Sequence, residues 1–308
     1  MNKCLYCYQE LDKEEKDFHN TCSLEFFGTK TSPVLEYSFE EMESLAKETI
    51  QRNISVPGVQ PKLSMDFNST TSRLTVLGAL GGNYIFKPPN KNYQEMPENE
   101  HVTMRMAEAF GIQVVPSSLI RLKSGELSYI TKRIDRTMEG DKIHMLDFFQ
   151  ITEAFDKYRS SIERIGKALH THATNTQLDK LFFFEMVVFS YLTGNNNMHL
   201  KNFSMIEQQG NWKLAPAYDL LNVAIVNPAD KEESALTICG KKSNLNKSDF
   251  EKIGENLLLT SKQISGVFKR FSKKKSIATD LIHQSFLSEE MKKKYIVLLE
   301  DRFSKVKY

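Results

Sequence analysis

The alternation of apolar and polar positions between about residues 62 and 132 predicts an antiparallel sheet. Stretches that are β-branched or alternate in polarity, as strands do, occupy 73–77, 83–86, 114–122 and 127–131. One helix, 97–110, is predicted to interrupt these strands. Pro97 suits the first turn of such a helix and Gly111 suits its C-terminal cap, so both ends of the element are marked.

A second helix is predicted ahead of the sheet. Ser38 and Glu41 have the spacing of a capping box, in which each side chain bonds the backbone N–H of the other residue. The amphipathic pattern that follows should continue to about Arg52, before a Pro/Gly break at Pro57 and Gly58.

Beyond about residue 135 the pattern becomes mostly helical. Apolar segments at 178–192, 250–258 and 277–306 carry this half of the chain. The longest apolar run, 181–192, is interrupted by Glu185 and is shorter than the roughly 18–20 residues that a bilayer span needs, so it predicts a buried core helix. The fold class expected is α+β, with a β-rich N-lobe over 31–135 and a helical C-lobe over 136–308.

Composition changes this picture only slightly. With 40% hydrophobic residues, the 308-residue chain can form real cores and should be globular. Its net charge of +2 excludes the uniform positive field of a dedicated nucleic-acid binder. The first residues lack the apolar block of a secretory signal, which predicts a reducing, cytoplasmic location and no contact with a membrane. The cysteines are then ligands or core residues rather than disulfides.

Residues 1–30 form a separate small unit that contains Cys4, Cys7, His19 and Cys22. Two ligand pairs, each with two intervening residues, are separated by eleven residues. This spacing suits a tetrahedral structural zinc site with three thiolates and one imidazole. The alternative is a set of small reduced core cysteines with a surface histidine.

The polar loop 193–204 carries the strongest candidate chemistry. It follows the predicted core helix, whose C-cap should be Gly194. Phosphoryl transfer needs a group that orients the attacking hydroxyl, together with an Asn and an Asp that hold Mg²⁺ against the phosphates of ATP. Asn197 and Asn202 are five residues apart, as the base and the Asn are in protein kinases, and Asp219 supplies the second metal ligand. Taken alone, the loop could also be an ordinary turn, because Asn and Gly tolerate left-handed conformations.

Two lysines extend the candidate site. Residues 54–62 form a tight Pro/Gly turn before a strand, and its backbone N–H groups and the Lys62 ammonium can cradle phosphates. Lys87 ends an apolar strand and can pair with the α- and β-phosphates. Glu100 on the following helix could hold Lys87 in place, as the lysine–glutamate pair of kinases does.

Several of these motifs, in this order, resemble HipA-family toxin kinases over roughly residues 50–300. The segments that carry the resemblance are 55–62 (SVPGVQPK), 86–88 (FKP), 99–100 (NE), 131–136 (TKRIDR), 144–150, 199–204 (HLKNFS) and 216–219 (PAYD). The resemblance implies a bilobal, protein-kinase-like fold and a Ser/Thr kinase that transfers the γ-phosphate of ATP.

The resemblance also implies individual roles. The residues expected to bind ATP are Pro57, Gly58, Val59, Gln60, Pro61, Lys62, Lys87, Lys132, Arg133, Ile134, His199, Lys201, Asn202 and Asp219. Lys201 would neutralise charge in the transition state, whereas His199 is expected to hold the loop. Ser55 matches the serine that family members autophosphorylate, a modification that would oppose ATP binding.

The partners implied are a helix-turn-helix antitoxin, through which the protein would meet DNA only indirectly, and a substrate in translation, such as an aminoacyl-tRNA synthetase. Only about fifty residues precede the phosphate loop, too few for the additional N-terminal subdomain of full-length members. The chain therefore resembles the short HipT form, in which a small separate protein supplies that subdomain.

Asn197 departs from the family pattern, which has a catalytic aspartate at this position. An amide cannot accept the proton of the substrate hydroxyl as a carboxylate can, so the chain should bind ATP and transfer phosphate poorly. We interpret this as an exchange of aspartate for asparagine made so that a toxic protein can be produced. A natural pseudokinase that only binds ATP, or a small-molecule phosphotransferase, remains an alternative.

Overall fold

The computed structural model of the protein describes residues 2–52, 62–78, 81–137 and 139–307. The chain divides into two compact units. The first comprises 1–101, 115–142 and 284–286, and the second comprises 102–114, 143–283 and 287–308.

The first unit is built on a five-stranded antiparallel sheet with the strand order β2-β1-β3-β5-β4. Its elements, and the helix that crosses the boundary between the units, are α1 (Asn20–Phe27), α2 (Phe39–Arg52), β1 (Leu63–Asn68), β2 (Arg73–Gly78), β3 (Tyr84–Lys87), α3 (Met96–Phe110), β4 (Ser117–Arg121) and β5 (Leu127–Lys132). The predicted antiparallel sheet is therefore confirmed.

Local signals in the sequence fix the helix ends of this unit. The Ser38 N–H donates to the Glu41 carboxylate at 2.7 Å, and the Glu41 N–H donates to the Ser38 hydroxyl at 3.3 Å, so the predicted capping box is present. Helix α3 ends at Phe110, and Gly111 follows with a φ of 86°, a left-handed conformation that glycine adopts without strain.

The N-terminal segment shares its core with the sheet. Leu5 and Phe26 are fully buried in one cluster with Met65 and Phe86, which lie on neighbouring strands β1 and β3. The Leu119 N–H on β4 also donates to the Leu5 carbonyl at 3.4 Å, so a backbone hydrogen bond links the N-terminal segment to the sheet. Residues near the N-terminus are therefore part of the packing of the first unit.

The second unit is mainly helical around a buried helix and carries a small sheet with the order β6-β7-β8. Its elements are β6 (Met145–Asp147), α4 (Phe148–Ile151), α5 (Ile162–His172), α6 (Thr176–Leu192), β7 (Ser204–Gln208), β8 (Asn211–Leu214), α7 (Val223–Val226), α8 (Lys247–Asn256), α9 (Ser261–Lys273), α10 (Lys275–Gln284) and α11 (Glu289–Lys305).

Aromatic contacts hold the core of the second unit. The Phe110 ring packs against Phe189 of α6, with ring centroids 5.4 Å apart, and against Phe271 of α9, at 5.1 Å. Helix α6 is buried along most of its length, as predicted for a core helix. Glu185, the charge that interrupts the apolar run 181–192 of this helix, is buried and pairs with Arg270. Among the described residues, no helix combines the length and the hydropathy that a membrane span requires.

Three expectations for the second unit need correction. Strands β6 and β7 were not predicted, because β6 has only three residues and the five residues of β7 do not alternate between apolar and polar types. The apolar segment 277–306 is two helices, since Ser288 caps a new helix by accepting the Met291 N–H. Helix α6 is capped by Thr193, and Gly194 is the left-handed residue after the cap, with a φ of 68°.

Candidate functional site

The loop 193–204 of the second unit is closed by its own polar groups. The Asn202 side-chain amide donates to the Asn197 carbonyl at 2.8 Å, which spans the five-residue spacing seen in the sequence. The Asn202 N–H donates to the His199 carbonyl at 2.9 Å, and residues Leu200–Asn202 form one turn of 3-10 helix. Asn202 is buried and Asn197 is half-buried. The two asparagines therefore belong to one ordered loop.

The first part of this loop is anchored to a neighbouring segment. The Asn196 side-chain amide donates to the Asp230 carboxylate at 3.1 Å and to the Glu232 carbonyl at 2.9 Å. The Asn195 side-chain oxygen accepts the Asn197 N–H at 3.3 Å. In this run of three asparagines, the first two are structural and fix the backbone that presents the third.

Tyr218 ties the segment that contains Asp219 to the loop. Its hydroxyl donates to the Lys201 carbonyl at 3.0 Å and also forms a hydrogen bond with the Ser204 hydroxyl. Burial raises the pKa of Tyr218, so its hydroxyl remains a donor at neutral pH. Because Lys201 and Ser204 flank Asn202, Tyr218 holds both predicted metal ligands in the same region of the second unit.

Asp219 has a strained backbone. Its φ is 56°, in the left-handed region that a non-glycine residue adopts at some cost in energy. Two residues earlier, the Ala217 N–H donates to the Gln113 carbonyl at 2.8 Å in a short parallel bridge with Val114. Such strain is maintained where the surrounding structure determines the backbone, as it often does at functional sites.

The remaining polar side chains of the loop pack on aromatic rings. The His199 imidazole is buried against the edge of the Tyr158 ring, with centroids 5.0 Å apart. The Lys201 ammonium lies 4.8 Å from the centre of the Phe149 ring. The Phe148 N–H donates to the Phe203 carbonyl at 3.0 Å, so the segment 144–150 supports the loop. This packing suits the predicted loop-holding role of His199.

In the first unit, the predicted Lys87–Glu100 ion pair is present. The ammonium of Lys87, at the end of β3, lies 2.6 Å from a Glu100 carboxylate oxygen on α3, and their side chains are 4% and 1% exposed. The ammonium also lies 5.2 Å from the centre of the Tyr129 ring on β5, the strand next to β3. An ion pair at this depth fixes the orientation of both side chains.

Lys132, Arg133 and Ile134, which were expected to bind ATP, lie at the end of β5 and directly after it. The Lys132 side chain is directed toward α1, with its ammonium 3.4 Å from the Glu25 carbonyl, and burial lowers its pKa. Arg133 makes two hydrogen bonds to the Asp135 carboxylate, at 2.9 and 2.6 Å, while Ile134 is half-buried. Both charged side chains of this segment are thus engaged within the first unit.

The predicted phosphate loop falls mostly outside the described residues. This applies to Ser55 and to 57–61, that is Pro57, Gly58, Val59, Gln60 and Pro61. Lys62 is described, is exposed, and directly precedes β1. The roles assigned to all of these residues from the sequence remain predictions.

The four predicted zinc ligands converge in the first unit. The Sγ atoms of Cys4, Cys7 and Cys22 and a ring nitrogen of His19 all lie within 4.8 Å of one another. Donors around a tetrahedral zinc ion are about 3.3–3.8 Å apart, so a small contraction of the cluster would complete such a site. In addition, His19 Nε2 lies 2.8 Å from the Glu10 carbonyl, which leaves Nδ1 facing the thiols.

The electrostatics of the cluster also suit a cation. Hydrogen bonding with Cys7 lowers the pKa of Cys4 to about 5, whereas burial raises the pKa of Cys22 to about 11. The bond to Cys4 raises the pKa of Cys7 as well. Three thiols at this separation resist simultaneous ionisation, and a divalent cation removes that penalty because it neutralises the thiolates.

Sequence reasoning missed three residues that organise the loop 193–204. Tyr218 lies inside the 216–219 motif, in which only its neighbour Asp219 has a predicted role. Tyr158 and Asp230 are far from the loop in sequence and carry no local signal.

Comparison with known proteins places this arrangement in a family. Residues 54–279, more than half of the chain, match the family described as HipA-like C-terminal domain. The chain belongs to this family.

Relatives of the HipA-like chain carry the names of kinases. A putative kinase of Haemophilus influenzae is 30% identical over 212 residues, 63% of this chain and 59% of that protein. The putative kinase Y4dM of Sinorhizobium fredii is 34% identical over 185 residues, 54% of this chain and 44% of that protein. The serine/threonine-protein kinase toxin HipA of Shewanella oneidensis is 24% identical over 191 residues, 55% and 43% of the two chains. The HipA-like chain thus spans about half the length of the curated relatives it matches.

Solved structures show the same fold. The Shewanella oneidensis HipA structure, solved as a complex with HipB and operator DNA, aligns with a TM-score of 0.67 at 20% identity, over 85% of this chain and 70% of that one. The Helicobacter pylori proinflammatory kinase CtkA aligns with a TM-score of 0.52 at 18% identity, over 74% and 90%. The expectation of an α+β, kinase-like fold of the HipA type is confirmed.

Proposed function

We propose that the HipA-like chain is a Ser/Thr protein kinase toxin that transfers the γ-phosphate of ATP to a protein of the translation machinery, such as an aminoacyl-tRNA synthetase. The observation that carries this proposal is the closed loop of the second unit. There the amide of Asn202 bonds the backbone of Asn197, at the spacing of a kinase base and its metal-binding asparagine. The kinase names of its relatives support the same reaction.

Asn202 and Asp219 suit magnesium. The Asn202 side-chain nitrogen donates a hydrogen bond to the Asn197 carbonyl, so the Asn202 side-chain oxygen is the atom that can bind a cation. The Asp219 carboxylate is the second oxygen donor, and Mg²⁺ prefers oxygen ligands. When bound, the ion would neutralise charge on the phosphates of ATP. In the second unit, Lys201 would also neutralise phosphate charge. In the first unit, Lys87 would pair with the α- and β-phosphates, and Lys62 would neutralise the charge of other phosphate oxygens.

Asn197 occupies the position of the proton acceptor and limits the reaction. Its amide can orient a hydroxyl group but cannot take the proton, so phosphate transfer by this chain would be slow while binding of ATP persists. An ATP-binding pseudokinase is the second candidate function that this residue favours. Autophosphorylation at Ser55 belongs to the kinase proposal, because a phosphate there would add negative charge next to the phosphate loop and oppose ATP.

The partners proposed are those of a toxin. HipA of Shewanella oneidensis was solved with HipB and operator DNA, which supports a helix-turn-helix antitoxin as a partner of this chain and an indirect link to DNA. The short HipT-like form would add a small separate protein that supplies the N-terminal subdomain. A cytoplasmic location agrees with substrates in translation.

Binding of MgATP to the chain as it stands tests the site. Calorimetry should show binding that depends on magnesium and that weakens at least about tenfold in Asp219→Asn, because one ligand charge is removed. The matched control is Asp280→Asn, an exposed carboxylate on α10 of the same unit, which should bind MgATP like the parent chain. Equal binding by all three proteins would contradict the magnesium role of Asp219.

The Cys/His cluster is proposed as a structural zinc site. Chelator-free purification should give about one zinc per chain, because the three thiols and one imidazole complete a tetrahedral ligand set. Cys22→Ser should lose the metal and lower the unfolding temperature. Cys239→Ser is the matched control, since Cys239 lies outside the cluster and should leave the zinc content unchanged. A metal-free parent protein would contradict the zinc site.

A further inference from the structure

Tyr8 connects the Cys/His cluster to helix α3. It directly follows Cys7, the second thiol of the first ligand pair, and its side chain is 2% exposed. The Tyr8 hydroxyl forms a 2.8 Å hydrogen bond with Nδ1 of the fully buried His101 on α3. The two rings also meet edge to face, with centroids 5.2 Å apart. The cluster is therefore in direct contact with α3 through one side chain.

The backbone of Tyr8 is held in an unfavourable conformation by the turn that carries the ligands. Its φ is 70°, in the left-handed region that a tyrosine seldom adopts. The Tyr8 N–H donates to the Cys4 carbonyl at 3.0 Å, and the Cys4 N–H donates to the Gln9 carbonyl at 2.9 Å. A metal that joins Cys4 to Cys7 would stabilise this turn, and its loss would allow Tyr8 to relax away from His101.

Glu100, the residue before His101 on α3, pairs with Lys87, the lysine proposed to bind phosphate. Glu100 lies 2.6 Å from the Lys87 ammonium. Lys87 lies on β3 and Glu100 on α3, so a displacement of the start of α3 moves the Glu100 carboxylate relative to Lys87. In kinases this pair must be in place for phosphoryl transfer.

We propose that the Cys/His cluster is a positioning device for the Lys87–Glu100 ion pair. Metal in the cluster fixes Tyr8, Tyr8 fixes His101, and the first turns of α3 then hold Glu100 at Lys87. Tyr8 and His101 are positioning residues, since neither contacts a reacting atom. The proposal rests on the proposed zinc site and on the proposed role of Lys87.

The cluster offers a matched pair of variants. Tyr8→Phe removes the hydroxyl that reaches His101 and leaves all four ligands in place. Tyr6→Phe removes a hydroxyl two residues earlier, one that bonds the Glu25 carboxylate on α1 at 2.9 Å instead of a residue of α3. Both side chains are buried and belong to the turn that carries the ligands. An effect seen in Tyr8→Phe and not in Tyr6→Phe therefore comes from the lost contact with α3, and not from general destabilisation of the turn.

Two readouts report on the ion pair without using catalysis. Hydrogen exchange measured by mass spectrometry follows residues 96–101, and acylation by an amine-reactive reagent follows the exposure of the Lys87 ammonium. With zinc bound, Tyr8→Phe should raise the exchange rate of 96–101 and the acylation rate of Lys87 about fivefold each. This is the factor in an equilibrium that a buried hydrogen bond of ordinary strength contributes. Tyr6→Phe should change neither. Lys180, buried at 2% exposure in the second unit, should keep its low acylation in every sample.

Zinc removal completes the test. Stripping the parent protein should raise exchange in both 1–30 and 96–101, whereas stripping Tyr8→Phe should raise it further only in 1–30. Tyr8→Phe that retains zinc and behaves like Tyr6→Phe would overturn the coupling while leaving the zinc site intact. Absence of zinc from the parent protein would instead overturn the metal site, so the two failures are distinguishable.

Discussion

Replacing Glu100 by glutamine tests whether the ion pair with Lys87 is an energetic requirement of the first unit. The two groups are 2.6 Å apart and their side chains are 4% and 1% exposed, so water cannot compensate a charge left without its partner. Removing one member of such a pair costs about 3–5 kcal/mol, because the remaining ion is buried and uncompensated. Glutamine keeps the size and one acceptor oxygen, which places the expected loss near about 3 kcal/mol.

The assay is urea unfolding followed by far-ultraviolet circular dichroism. The single tryptophan, Trp212, lies in the second unit, so its fluorescence would not report on the sheet that contains Lys87. For a slope of about 2 kcal/mol per molar urea, a loss of about 3 kcal/mol lowers the midpoint of the first unit by roughly 1.5 M. Exchange of the β3 amides should rise in parallel.

Two controls isolate the effect of burial. Glu43→Gln breaks a Lys–Glu contact of 2.8 Å with Lys91 in the same unit, but these side chains are 32% and 59% exposed, so the midpoint should not move. The double variant Lys87→Met, Glu100→Leu replaces both charges by apolar groups and should recover most of the loss. An unchanged midpoint in Glu100→Gln, or additive losses in the double variant, would refute the reasoning.

Three further substitutions test the packing and titration of other groups. Burial raises the pKa of Glu98 to about 7 from 4.5, so between these pH values the folded chain retains a proton that the unfolded chain releases. The contribution of Glu98 to stability is therefore most favourable below pH 4.5 and is lost as the pH rises to 7. Because solvent still reaches part of the side chain, Glu98→Gln should gain only about 1–2 kcal/mol at pH 8 and none at pH 4, measured by thermal unfolding. Gly82→Ala would place the new Cβ 2.2 Å from the Met65 carbonyl oxygen. The control is Gly28→Ala, at a similar left-handed φ but with open space around the Cβ, which should cost roughly 1 kcal/mol of unfolding free energy. Gly82→Ala should cost several times as much. Phe110→Ala should cost about 3–5 kcal/mol in denaturant unfolding, whereas the fully exposed Phe155→Ala should cost nothing measurable.

Elements with local signals could be predicted from the sequence. The capping pair Ser38 and Glu41 fixes the start of α2, because their side chains accept backbone N–H groups that have no partner within the helix. Gly111 fixes the end of α3, because its left-handed backbone ends the helix. The strands of the five-stranded sheet were found for the same reason, since alternation over four to six residues is visible in the sequence. Their order in the sheet is not a local property and required the structure.

Features that depend on distant residues could not be predicted. The break between α10 and α11 lies in an apolar stretch, and the one local signal, Ser288 ahead of two glutamates, is weak beside that pattern. Strand β6 has three residues and exists because it pairs with β7, about sixty positions later. The bond between Tyr8 and His101 joins residues 93 positions apart, and no spacing rule connects them.

The candidate site divides in the same way. Residue types and spacing led to the prediction of Asn197, Asn202 and Asp219, because phosphoryl transfer restricts which groups can act and how far apart they stand. The sequence could not reveal that the Tyr218 hydroxyl joins the two segments, because a tyrosine in a motif is equally consistent with packing. Roles came from chemistry, whereas the supporting contacts came only from the fold.

Phosphate transfer by the Asn197→Asp variant is the most direct test of the central claim, that residue 197 occupies the position of the proton acceptor in a kinase loop. Incubation with magnesium and γ-labelled ATP, alone and with cell lysate, should give label in protein at a rate at least about 10²-fold above that of the parent chain. Adding Asp219→Asn should return the rate to the parent level. An Asn197→Asp protein that binds MgATP as the parent does and still transfers no phosphate would contradict the account and leave an ATP-binding pseudokinase.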